Sequence, residues 1–150
     1  MDKQADVMAI LKLYELRRDE KMRQARAWYF SDFAPQSAMD IIKLYRDGEQ
    51  ASAYFRTVTS YWDMASSFVL NGAIDEKMFL DAGTEHIFVY TKIAPFLAEI
   101  REIFNEPEYL IHLETLALKV PNSETKIENR KRLYALWTKK EDETSANENG

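Results

Sequence analysis

Arg18 is the first residue whose placement raises a chemical question. It falls at helical spacing between Tyr14 and Met22, on a stripe where an apolar side chain is expected, with Lys21 beside it. A guanidinium turned inward needs a charged partner, because desolvating it alone is too costly. Three roles are open to it: a structural ion pair, with Asp63 or another acid of the central helices; a stem that carries the charge out to water; or a contact to an anionic ligand or partner chain. Asp63 follows Tyr61 and Trp62. Thr59, Asp63, Ser66 and Ser67 share the helix side away from the aromatic stripe, which reads as a solvated face or as a place where a second helix approaches closely.

His86 and His112 are the two histidines. His86 lies on an apolar stripe, where a histidine reads first as a core-edge group bonded to a neighbouring helix. Glu108 and His112 are four residues apart and share a helical face. A di-iron bundle needs two Glu-x-x-His pairs plus two further carboxylates, and no Glu-x-x-His occurs in the chain. Zinc needs at least three converging ligands. No metal or other cofactor is therefore expected. The chain has no Cys, and no phosphate loop, nucleophile elbow or His-Glu-x-x-His pattern appears. No catalytic residue is assigned. The candidates for ligand or partner binding are Arg18, Trp62, Asp63 and His86.

These residues must be positioned by helices. The 150 residues include only 4 Gly and 4 Pro, while 30% are charged, a balance that favours helix. Apolar spacing predicts a long first helix from about residue 3 to 33, with Val7, Leu11, Tyr14, Met22, Ala25 and Tyr29 on its inner face. No Gly or Pro interrupts it before Pro35, so it spans roughly 45 Å. A short helix follows over 36–46, then one over 49–70 with Phe55, Val58, Trp62, Ala65 and Val69 inward. Asp75 caps a short turn, with Ile74 and Phe79 as a hydrophobic staple. A helix over 85–105 carries a kink near Thr91 imposed by Pro95. Pro107 suits the first position of a helix to 119. Asn122 or Ser123 caps a last helix to about 139, with Ile127, Leu133, Tyr134 and Trp137 apolar. The polar segment 140–150 reads as a disordered tail. The expected architecture is one all-α domain over 1–139: an up-and-down bundle of about five to seven helices, the first of them long.

Arg17-Arg18-x-x-x-Met22-x-x-Ala25-Arg26-x-Trp28, followed by Tyr61-Trp62-Asp63-Met64 and Asn71-Gly72-x-Ile74-Asp75, resembles a bacterial family of small helical domains of unknown function. The resemblance covers most of residues 10–110. It implies a helical fold and a bacterial or phage setting, and no activity.

The net charge is -5, which disfavours nucleic acid as the main partner. Charge is nevertheless uneven. Segment 12–26 has six basic against three acidic residues, segment 126–140 six against one, and segment 63–108 three against nine. The basic ends complement the acidic middle within one bundle or across a dimer, or else form a patch for nucleic acid or lipid. No secretory signal and no membrane span are legible, and a Cys-free chain fits the cytoplasm. The leading expectation is a homodimeric protein-interaction or regulatory module rather than an enzyme. The alternatives are a small-molecule-binding bundle with an internal polar pocket, and a nucleic-acid-associated regulator using the basic first and last helices.

Overall fold

A computed structural model describes the backbone of residues 2–148 and the side chains of residues 2–136. Its described residues form helices and connecting turns. These are α1 (Lys3–Leu16), α2 (Glu20–Ser31), α3 (Ala38–Asp47), α4 (Gln50–Leu70), α5 (Glu76–Ala82), α6 (Glu85–Ile93), a 3-10 turn (Ala94–Phe96), α7 (Leu97–Phe104), α8 (Ile111–Lys119) and α9 (Ser123–Glu148). The all-α class is as the composition implies. The helix count and the long first helix are not. Even with α6, the 3-10 turn and α7 taken as one bent rod, the described chain has eight helical rods.

The long first helix is in fact two. Arg17 closes α1, and Asp19 opens α2 with its carboxylate accepting from the Met22 amide at 3.2 Å. An internal Asp can thus act as an N-cap where neither Gly nor Pro marks a stop. The inner face of α1 is also displaced by one residue from the expected stripe. Asp6, Ile10 and Leu13 are buried, whereas Val7, Leu11 and Tyr14 are exposed.

α4 is the axis of the fold. It touches α2, α3, α5, α6 and α8, so it buries Phe55, Val58, Trp62, Ala65 and Val69 on one side and Thr59 and Ser66 on the other. Of the two readings of that small-residue side, close approach of a second helix is the one observed, and the helix is α8. Thr59 is satisfied by donating to the Phe55 carbonyl. At the start of α4, a Cβ on Gly48 would stand 2.3 Å from the Leu44 carbonyl oxygen, so only glycine lets α3 turn so tightly into α4.

Pro95 interrupts the helix, but at the 3-10 turn Ala94–Phe96 itself and not near Thr91, which lies inside α6. Pro107 does not open a helix. Residues 107–110 form turns, Leu110 adopts a left-handed conformation (φ 54°), and α8 starts at Ile111. The last helix carries helical backbone through 140–148, the segment that reads as a polar tail. The Trp137 side chain lies outside the described residues. Among the described residues no helix is long and apolar enough to cross a membrane.

Candidate functional site

A cluster of partly buried charged groups lies where α1, α2 and α6 meet, with α9 on its flank. The centre is Glu85, the first residue of α6. Arg26 of α2 grips it with two hydrogen bonds, Nε to Oε2 at 3.0 Å and Nη2 to Oε1, and Arg17 Nη2 donates to Oε1 at 3.2 Å. The three side chains are 16–23% exposed. Arg17 also stacks over Tyr14 and Trp62, with Cζ 4.6 Å and 5.4 Å from the ring centroids. On the other flank, Arg130 of α9 donates to Thr84 Oγ1 at 3.1 Å and lies over Phe88. The first basic segment thus pairs with an acid of the middle segment, while Arg130 of the last meets the neighbouring Thr84. Arg101 with Glu114 and Lys119 with Glu76 are further ion pairs, outside the two basic segments.

Arg18 is not part of this cluster. It is exposed in the turn between α1 and α2, and the arginine that turns inward is its neighbour Arg17. Trp62 is 5% exposed and packs edge-on to Tyr61. Tyr61 donates its hydroxyl proton to the Leu13 carbonyl, and Tyr14 donates to Ala82. A Cβ on Gly83 would lie 2.8 Å from the Tyr14 oxygen. Burial pushes the Tyr61 hydroxyl up to about 12.

His86 is fully buried, with the Phe79 ring at 5.6 Å and the Trp62 ring at 6.4 Å. Its surroundings are therefore aromatic, not the hydrogen-bonded core edge the sequence suggests. Desolvation first, and the Arg130 charge second, lower its pKa from 6.5 to about 4. Neither ring nitrogen has a hydrogen-bond partner among the described residues, so His86 is held as a neutral packing group.

Asp63 points the other way, towards α8. Its Oδ1 accepts from the Leu113 amide at 3.0 Å, and its Oδ2 lies 3.4 Å from His112 Nδ1. α8 has no side-chain cap of its own at Leu110, so Asp63 supplies one from α4. Asp63→Ala should cost about 1 kcal/mol of stability and speed hydrogen exchange at the Leu113 amide; Asp63→Asn should retain most of the cap. Among the described residues no three His, Cys, Asp or Glu side chains gather to hold a metal.

Of the four candidate residues, the structure brings Trp62 and His86 together. It sends Asp63 to a helix cap and Arg18 to the surface. Arg17, Arg26, Glu85 and Arg130 are the members the sequence reading missed. The available signal was the alternative stripe Asp6, Ile10, Leu13 and Arg17, which has helical spacing as good as the stripe containing Arg18. Chemically, the arrangement locks elements together. Both Glu85 oxygens accept from arginine, and the enclosed space beside Arg17 and Trp62 is about 20 Å³, room for about one water.

The family model described as "Domain of unknown function (DUF4760)" matches residues 4–120. The matched span ends with α8 and includes Arg17, Arg26, Trp62, Asp63, Glu85 and His86, while Arg130 on α9 lies beyond it. No curated protein and no solved structure matches the chain. With most of its length covered by that match, the chain belongs to the DUF4760 family of domains of unknown function.

Proposed function

We propose that this domain is a homotypic protein-interaction module and that α1 is its docking element. The supporting observation is the outward face of α1. Val7, Met8 and Leu11 are 42%, 65% and 55% exposed, and Leu16 extends the apolar surface towards the turn. The opposite side of the same helix is already buried through Ile10 and Leu13. A surface helix ordinarily shows one apolar stripe and a polar outer face. A helix that is apolar on both sides is suited to partners on both sides, the second being another chain.

Two observations weigh against the alternatives. A metabolite pocket needs roughly 300 Å³ or more; the space beside Arg17 and Trp62 is about 20 Å³, and the larger spaces, about 400 Å³ beside Lys92 and Pro95 and about 760 Å³ beside Arg23 and Arg26, are more open surface clefts. The arginines that make the chain ends basic are turned inward in part: Arg17 and Arg26 to Glu85, and Arg130 to Thr84. That leaves less positive charge for a nucleic-acid backbone. A Cys-free chain suits a cytoplasmic module.

The test is Leu11→Glu. The substitution places a charge on the exposed face and touches nothing buried, so the fold should survive with an unchanged far-ultraviolet circular dichroism spectrum. Self-association measured by size-exclusion chromatography should weaken at least tenfold. Association unchanged in Leu11→Glu would remove the outward face of α1 as the docking surface.

A further inference from the structure

Residues 3–31 contain neither Gly nor Pro, yet the helix is interrupted between Leu16 and Glu20. The interruption is slight in conformational terms. Arg17 is still helical (φ -68°, ψ -18°), and Asp19 is extended (φ -52°, ψ 137°). Left-handed residues occur elsewhere in the described chain, at Glu49, Gly72, Asn105, Leu110 and Asn122, and none lies in this turn. Two hydrogen bonds to carbonyls three residues back stitch the turn, Arg18 to Glu15 and Asp19 to Leu16. Rotating ψ of Asp19 to the helical value of about -42° removes the main obstacle to one continuous rod. The residues around it, Arg, Glu, Lys, Met, Gln and Ala, are good helix formers.

The contacts that hold α1 down are made to distant parts of the chain. Asp6 Oδ2 accepts from the Asp75 amide, Tyr14 donates to Ala82, Tyr61 donates to Leu13, and Arg17 reaches Glu85. Each of them is available unchanged on a second copy. We propose that α1 exchanges between two copies of this chain. The turn at 17–19 straightens, α1 and α2 fuse into one helix, and each α1 docks against α5, Tyr61 and Glu85 of the other copy. This goes beyond the homotypic docking proposed above: it uses the inner face of α1 and leaves Val7, Met8 and Leu11 on the outside. The exchanged dimer keeps every α1 contact of the closed monomer and adds helical hydrogen bonds across the turn. Its cost is the lost freedom of two chains, which rising concentration offsets.

The turn can be biased in both directions. Asp19→Ala removes the cap that holds the break and should tighten dimerisation about fivefold per turn. Glu20→Pro puts proline at the first position of α2, where it is tolerated, and keeps Asp19 extended; it should hold the chain closed. The exchange itself is read by Tyr14→Cys with Ala82→Cys, two exposed and adjacent positions in an otherwise Cys-free chain, joined by a short bis-maleimide. A link between chains on a denaturing gel, stronger with Asp19→Ala and lost with Glu20→Pro, is the expected result. A dimer in sedimentation whose link stays within each chain overturns the exchange and leaves homotypic docking standing. A monomer in every variant overturns both. An isotope-filtered NOE from Leu13 of a labelled chain to Tyr61 of an unlabelled one reads the same exchange with no substitution, and its absence in a proven dimer overturns it too.

Discussion

Glu85→Gln is expected to lower the stability of the domain by about 3 kcal/mol, which is the cost of stranding the partners of a partly buried ion pair. Arg17 and Arg26 are both held by this one carboxylate at 16–23% side-chain exposure, so the amide leaves two guanidiniums with one neutral acceptor oxygen and no opposing charge. For a chain of this size the melting temperature should fall by roughly 6–12 °C. Arg18→Ala is the matched control. Arg18 is exposed in the turn, and a surface change of that kind stays within about 0.5 kcal/mol. Thermal denaturation of the two variants at neutral pH checks both values. Equal losses would mean that the inward arginine has been misassigned.

The second large effect is a loss of stability in mild acid, traced to His86. Its pKa is lowered from 6.5 to about 4 by burial, with Arg130 adding to the cost of a positive charge. Above pH 6.5 the imidazole is neutral in both folded and unfolded chains, and its contribution is fully present. As pH falls from 6.5 towards 4, the unfolded chain takes up a proton that the folded chain refuses, so stability is lost. The loss amounts to about 2 kcal/mol between pH 7.5 and 5, with roughly 1 kcal/mol more by pH 4. His86→Leu should flatten most of this slope in urea titrations at several pH values.

Both effects arise from residues that the sequence shows only in part. The helices themselves were legible because their stops are local: Asn71-Gly72, the Asp75 cap and Pro95 act on their own neighbours. The break at Asp19 is local as well, but an aspartate inside a run of helix formers carries the same letters whether it caps a new helix or faces water. Pro107 misled for the same reason, since proline at a helix start and proline in a turn look alike until the chain around them is placed. The choice of Arg18 over Arg17 came from the inner face of α1. Two stripes one residue apart both carry apolar residues there, and which one turns inward is decided by α5 and α4, not by α1. Asp63 shows the limit from another side: capping α8 from α4 joins residues fifty positions apart, and no spacing rule connects them. The charge blocks, by contrast, did point to the pairing of the first basic segment with Glu85 of the acidic middle; the last segment meets Thr84 and its own Glu128 instead.

The apolar surface left on α1 by that choice of stripe is the basis of the functional reading. If α1 is a docking element for a second copy, association must be a property of the isolated wild-type chain. Sedimentation equilibrium over a wide concentration series measures this directly. The account predicts a reversible monomer–dimer equilibrium that shifts to monomer in Leu11→Glu. A single monomeric species at the highest concentration attainable would contradict it.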